Sequence, residues 1–151
     1  MRSHSLNDDE ISLAGTSALR GVETYLRQCD LGVRLIELVK MRAAQINHCA
    51  YCLDMHSKEL RPEAETDQRI YLLNGWQESP IYTPRERAAL AWIEAVTRIA
   101  ETQTLDEIHK EVRRHLDDKE LVDLTTLIGM INLWNRLAIS PRYERPTDAA
   151  T

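Results

Sequence analysis

The stretch "DKELVDLTTLIGMINLWNRLAIS", residues 118–140, fits one regular structure only. Leu121, Leu124, Ile128, Ile131, Trp134 and Leu137 recur three or four residues apart, which is the period of one helix face. Pro141 then stops the helix. The rest of the chain agrees: only five Gly and five Pro punctuate it, and no strong strand alternation appears. The expected fold class is therefore all-α, with about six to seven helices in one domain spanning residues 1–151 and an exposed tail from about 142 to 151.

The other helices have their own signals. A first helix is predicted over Ser17 to Gln28. Gly32 opens "GVRLIELVKMRAAQIN", whose apolar residues occupy most faces, so burial on more than one side is expected. Asn47 can end that helix or cap the next, "CAYCLDMHSKEL", which stops near Pro62. "ETDQRIYLLNGW" is a shorter helix closed by Asn74-Gly75. Thr83 with Glu86 forms a capping box, with Pro84 at the first helical position of "TPRERAALAWIEAVTRIAE". Thr104 with Glu107 forms another ahead of "LDEIHKEVRRHL".

Charge and composition remove several functions. The net charge is −5, and no basic block exceeds the pair Arg113-Arg114, which argues against nucleic-acid and anionic-membrane partners. No apolar run approaches the roughly 18 residues of a membrane span. "MRSHSLNDDE" lacks the apolar core of a secretory signal, so a cytoplasmic location is expected, where thiols stay mostly reduced.

Against that background, "INHCAYCLDMH" is unusual: it holds two of the three cysteines and two of the five histidines. Cys49, Cys52 and His56, spaced three and four apart, share one face of a helix. Cysteines so spaced lie within disulfide reach, and a position near a helix N-terminus favours thiolate over thiol. Lowering a thiol pKa from about 8.5 to about 6.5 raises the thiolate fraction at pH 7 about twenty-fold or more. His56 can accept the thiol proton, and Glu37 on the preceding helix could orient it. Three readings stand at this point: a redox pair, a zinc site drawing on Cys49, Cys52, His56 and His48, or an inert pair. Glu37 taken alone reads as a surface carboxylate paired with Arg34 or Lys40.

The segment "ELVKMRAAQINHCAYCLDMHSKEL", with core residues 37–56, resembles the alkyl hydroperoxidase D (AhpD-like) and carboxymuconolactone decarboxylase superfamily. Its redox branch carries Glu, eleven residues, Cys-x-x-Cys, three residues, then His; Glu37, Cys49, Cys52 and His56 fall on that pattern without a gap. "INLWNRLAIS" resembles the end of the family's helical domain.

The resemblance implies an antioxidant, thiol-dependent hydroperoxide reductase in which Cys52 attacks the peroxide and Cys49 resolves it. Glu37 and His56 would serve a proton relay. No metal, haem or flavin cofactor is called for. The implied partners are a hydroperoxide, an external dithiol of lipoyl or thioredoxin-like type, and copies of the chain itself, with a hexamer slightly ahead of a trimer. The alternatives are a thiol–disulfide oxidoreductase with another substrate and a non-enzymatic zinc-binding or assembly module. The decarboxylase branch generally lacks the cysteine pair, so lyase chemistry matches poorly.

One position departs from the pattern. The family's best-known members have His directly before the second Cys, and Tyr51 stands here. Tyr donates a hydrogen bond but does not titrate near neutrality, and a pocket-wall role is favoured over an auxiliary proton donor. Cys29 is expected to be a bystander. Trp76, Trp92 and Trp134 are expected in the core or at subunit contacts, and His109 and His115 in solvent.

Overall fold

A computed structural model of the chain describes residues 12–63, 66–103 and 105–140. Among these are seven α-helices and no strand: α1 (Leu13–Arg27), α2 (Val33–Ile46), α3 (Ala50–Leu60), α4 (Asp67–Leu72), α5 (Pro84–Thr97), α6 (Leu105–Val112) and α7 (Asp118–Ile139). Single 3₁₀ turns follow α3 (Arg61–Glu63) and α4 (Leu73–Gly75). The all-α expectation holds.

Helix starts follow side-chain chemistry. Thr83 and Glu86 form the expected reciprocal box, and Pro84 is the first residue of α5. Asp117 and Glu120 form a second box at the start of α7, one the sequence reading did not single out. Thr104 lies outside the described residues, as does the segment after Ser140. Helix ends are less regular. α5 stops at Thr97 rather than running to Glu101, and the Thr102 hydroxyl donates to the Ala95 carbonyl at 2.9 Å beyond it. α4 shortens to Leu72 because the chain tightens into the 3₁₀ turn before Trp76.

α2 runs through the middle of the structure. Every residue from Leu35 to Ala44 is buried, and the helix packs against α3, α5 and α7. Ile36, Leu38 and Val39 join Leu90 and Ile93 of α5, Leu124, Leu127, Ile128 and Ile131 of α7, and Leu60 of α3 in one core. Removing such a fully buried side chain, as in Leu38→Ala, costs about 2–5 kcal/mol. Because α2 is covered on all sides from Leu35 to Ala44, the polar residues of that span are covered too. Arg42 is buried and held by Glu94, Gln45 and Asn74. This pins the turn before Trp76 to α2 and α5.

The link from α2 to α3 sets up everything that follows. Asn47 is the C-cap of α2, and His48 takes a left-handed conformation with φ 56°. The Cys49 N–H donates to the Ala44 carbonyl at 3.0 Å, and the His48 N–H donates to Gln45 at 3.3 Å. These two bonds define a Schellman motif, with apolar contact between Cys49 and Ala44 beside it. Asn47 therefore ends α2 and does not cap α3. The N-cap of α3 is Cys49 itself, whose sulfur accepts from the Cys52 N–H at 3.3 Å.

Candidate active site

Cys49 and Cys52 are joined in a disulfide across the first turn of α3, with Cα atoms 5.3 Å apart. Both are buried. They form a small cluster with Ala44 of α2 and Ala138 of α7, against which the half-buried Tyr51 packs.

His56 follows Cys52 by one turn of α3 and is 2% exposed. Its Nδ1 lies 2.9 Å from Glu37 Oε2 and 3.0 Å from Glu59 Oε2. A ring nitrogen facing two carboxylates carries its proton, so Nδ1 is the donor. The other nitrogen, Nε2, is then the site that gains or loses a proton. It is buried and has no hydrogen-bond partner in the structure.

Glu37 is 3% exposed, which overturns its reading as a surface carboxylate. It does meet Lys40, at 3.4 Å, but inside the fold. Lys40 is also buried and reaches Glu23 Oε2 of α1 at 3.0 Å. Glu23 Oε1 accepts from Trp134 Nε1 of α7 at 3.0 Å. At the other end, Glu59 meets Arg27 of α1 at 3.6 Å. The motif pair Glu37–His56 is thus the middle of a charged chain from Trp134 to Arg27.

Burial of the ring pulls the His56 pKa down, but its hydrogen bonds to the Glu37 and Glu59 carboxylates outweigh it, and the net shift is upward from 6.5. The Glu59 carboxyl is held down to about 2, mainly by its bond to His56.

Of the residues singled out in sequence, Glu37 meets His56 and Cys49 meets Cys52, and His56 follows Cys52 by one turn of α3. His48 does not join them: it is exposed on the link. With the two sulfurs bonded to each other, the zinc set of Cys49, Cys52, His56 and His48 is not assembled. The donor atoms with metal-like spacing among the described residues belong to Glu37, His56 and Glu59, within 4.8 Å of one another. Lys40 beside Glu37 already supplies positive charge there. Cys29 is a free, half-buried thiol packed on the core after α1. Trp76 and Trp92 are buried. His109 is exposed, whereas His115 is half-buried and paired with Glu111 at 3.2 Å, so only the first matches the solvated expectation.

Glu59 and Lys40 were legible only as helical neighbours of His56 and Glu37. Glu23 carried no signal, because its partners lie 17 and 111 residues away.

Residues 12–95 match the carboxymuconolactone decarboxylase family. The chain belongs to that family. Its AhpD-like fold is confirmed by a protein of unknown function from Agrobacterium tumefaciens, described as a candidate antioxidant defence protein AhpD. The two share 42% identity and a TM-score of 0.91 over 97% of this chain and 100% of that one. The uncharacterized peroxidase-related protein from Silicibacter sp. TM1040 has the same fold at 22% identity, with a TM-score of 0.76 over 88% and 71% of the two chains. Among curated relatives, the uncharacterized protein YdfG of Bacillus subtilis is 40% identical over 131 residues, 87% of this chain and 89% of YdfG. The uncharacterized protein YnjA of Escherichia coli is 31% identical over 96 residues, 64% of this chain and 52% of YnjA. In this family member no helix of the described residues is long and apolar enough to cross a membrane.

Proposed function

We propose that this AhpD-like protein is a thiol-dependent hydroperoxide reductase. The observation that carries the reading is the disulfide in the first turn of α3, one turn before a histidine whose Nδ1 is fixed by the buried Glu37. That bond leaves Nε2 as the proton acceptor, the same logic by which a carboxylate orients a catalytic histidine in other nucleophile–base pairs.

In the reduced protein, His56 Nε2 takes the Cys52 proton. The Cys52 thiolate attacks the terminal oxygen of ROOH, the O–O bond breaks, and Cys52 becomes a sulfenic acid. The leaving alkoxide takes the proton from His56 and departs as ROH. The Cys49 sulfur then attacks the sulfenic acid, forming the disulfide and releasing water. An external dithiol returns two electrons by exchange and is itself oxidised. During that exchange the Cys52 N–H, already bonded to Cys49 Sγ, favours Cys49 as the departing thiolate.

The test is stopped-flow mixing of reduced protein with a panel of hydroperoxides, following thiol loss. Second-order oxidation of one thiol pair per chain supports the proposal. Oxidation by small disulfides alone, with none by peroxides, would assign the protein instead to thiol–disulfide exchange.

A further inference from the structure

Two buried side-chain nitrogen atoms among the described residues have no hydrogen-bond partner, His56 Nε2 and Asn135 Nδ2. The first belongs to the proposed relay. The second is unexplained, and Asn135 is fully buried at 0% exposure. Leaving an amide donor unsatisfied in a core is costly, and such groups are rare in folded proteins.

The amide cannot be turned round to remove the problem, because its orientation is dictated by a chain of neighbours. Asn132 Nδ2 donates to the Ile128 carbonyl at 2.9 Å, and a carbonyl can only accept. The oxygen of Asn132 therefore faces the other way and accepts from Asn47 Nδ2 at 2.9 Å. Asn47 Nδ2 also donates to Asn135 Oδ1 at 2.8 Å. Asn135 must present its oxygen to Asn47, and its N–H group points elsewhere.

The place of this donor in the fold gives it a use. Asn135 precedes Ala138 by three residues on α7, so the two share a face. Ala138 packs on Cys49 and Cys52. Asn47, which holds Asn135, is two residues before Cys49 at the end of α2. We propose that Asn135 is a preset hydrogen-bond donor for the anionic sulfur that forms when the Cys49–Cys52 disulfide is reduced.

Reduction breaks the S–S bond with two electrons from a dithiol; one sulfur keeps a proton and the other carries the charge. The amide has no partner while the disulfide is closed; a sulfur that turns to it on opening gains a hydrogen bond that lowers its thiolate pKa. Asn135 is thereby a positioning residue of the redox pair. This rests on the pair cycling between disulfide and dithiol, and not on peroxide being the oxidant.

The experiment measures iodoacetamide alkylation against pH for the dithiothreitol-reduced protein, in a Cys29→Ser background. The charged groups on the elements packed around the pair include Glu37, Lys40 and Arg42 on α2, His56 and Glu59 on α3, and Arg136 on α7. All are kept. Asn135→Ala should raise the apparent thiol pKa and slow alkylation near pH 7 about tenfold, as expected for losing a hydrogen bond to an ionised group. Asn135→Asp keeps the oxygen for Asn47 but replaces the donor, and should slow it further. In wild-type protein, the Asn135 side-chain amide proton should move downfield on reduction, a reading that needs no variant to fold. An unshifted amide, or unchanged alkylation in both folded variants, overturns the proposal. Absence of peroxide turnover leaves this assay unaffected, so the two proposals fail separately.

Discussion

Glu59 Oε2 lies 3.0 Å from His56 Nδ1, on the nitrogen that Glu37 also reaches. The histidine is therefore pulled toward its charged form from its own helix and from α2. Its folded pKa is raised above 6.5, and so its contribution to stability is complete below about pH 6.5 and is lost as pH rises through the folded value. Glu59 works in the other direction. Its carboxyl is depressed from 4.5 to about 2, so its contribution is complete above about pH 4.5 and is lost as pH falls toward 2. The two windows overlap between about pH 4.5 and 6.5. Urea unfolding of the oxidised protein should therefore show a stability fall on the alkaline side of that window. His56→Gln should lack the alkaline fall; a parallel slope in the variant would remove His56 as its source.

Lys40 stands between Glu23 and Glu37 with 4% exposure. Lys40→Met would take the cation from the buried Glu37 and the half-buried Glu23, and breaking a buried pair from one side typically costs about 3–5 kcal/mol. We expect a loss of that order. The double variant Lys40→Met with Glu37→Gln should recover part of it, because one of the stranded charges is gone. A double-variant loss equal to the sum of the two single-variant losses would show that the two groups do not interact.

Glu37→Gln keeps the size of the side chain and removes its charge. His56 would then retain only the Glu59 charge at Nδ1, and Lys40 would lose one of its two carboxylates. The rate of Cys52 oxidation should fall strongly, and the pH–rate profile should shift, because the base is less firmly held in its working tautomer. Stability should fall as well, since this carboxylate is buried among charges. A pH–rate profile superimposable on wild type would confine Glu37 to a structural role.

His48 occupies the left-handed position of the Schellman turn with an exposed side chain. Such a conformation costs a non-glycine residue energy, and histidine is among the residues that tolerate it better. His48→Gly relieves that strain but adds freedom to the unfolded chain. The expected net effect is a gain of about 0.5–1 kcal/mol with peroxide oxidation unaltered. A loss of Cys52 reactivity in this variant would give His48 a part in the chemistry that its exposed position does not suggest.

The helices and the cysteine motif were legible because they depend on near neighbours: apolar spacing in α7, the Thr83–Glu86 box, and the fixed offsets among Glu37, Cys49, Cys52 and His56. The burial of Glu37 was half legible. An all-round apolar α2 implied a buried helix, yet a carboxylate flanked by Arg34 and Lys40 still read as surface. What reversed this was the meeting of α1, α2 and α7 around Lys40, which no local pattern encodes. Asn47 was legible as a cap but not as to which helix, since the answer lay in the backbone of His48. Asn135 was visible only as a polar residue beside Trp134; its fixed amide depends on Asn132 and Asn47 together.

Assembly is a proposal of a different kind. The apolar faces of α2 are spent within one chain, so they supply no surface for a second copy. Large apolar side chains do remain exposed, among them Leu13, Tyr25, Tyr71, Ile99 and Val122. We expect these to carry a homo-oligomer, with a hexamer ahead of a trimer. Light scattering at micromolar concentration checks it, and a monomer mass would overturn it.

The division of labour between the cysteines follows from the two ends of the first turn of α3. Cys52 has His56 one turn ahead of it, and so has the base. Cys49 sits at the N-cap, where its sulfur accepts the Cys52 N–H and is suited to bear charge on leaving. Cys52→Ser should therefore abolish peroxide consumption. Cys49→Ser should consume one equivalent and stop at a sulfenic acid on Cys52, which dimedone traps and mass spectrometry locates. The Cys49 variant also replaces the capping sulfur with a hydroxyl, a better acceptor for a helix N–H, so α3 should not lose stability from the change. An adduct found on Cys49 in the Cys52→Ser protein, and none on Cys52 in the Cys49→Ser protein, would reverse the two roles.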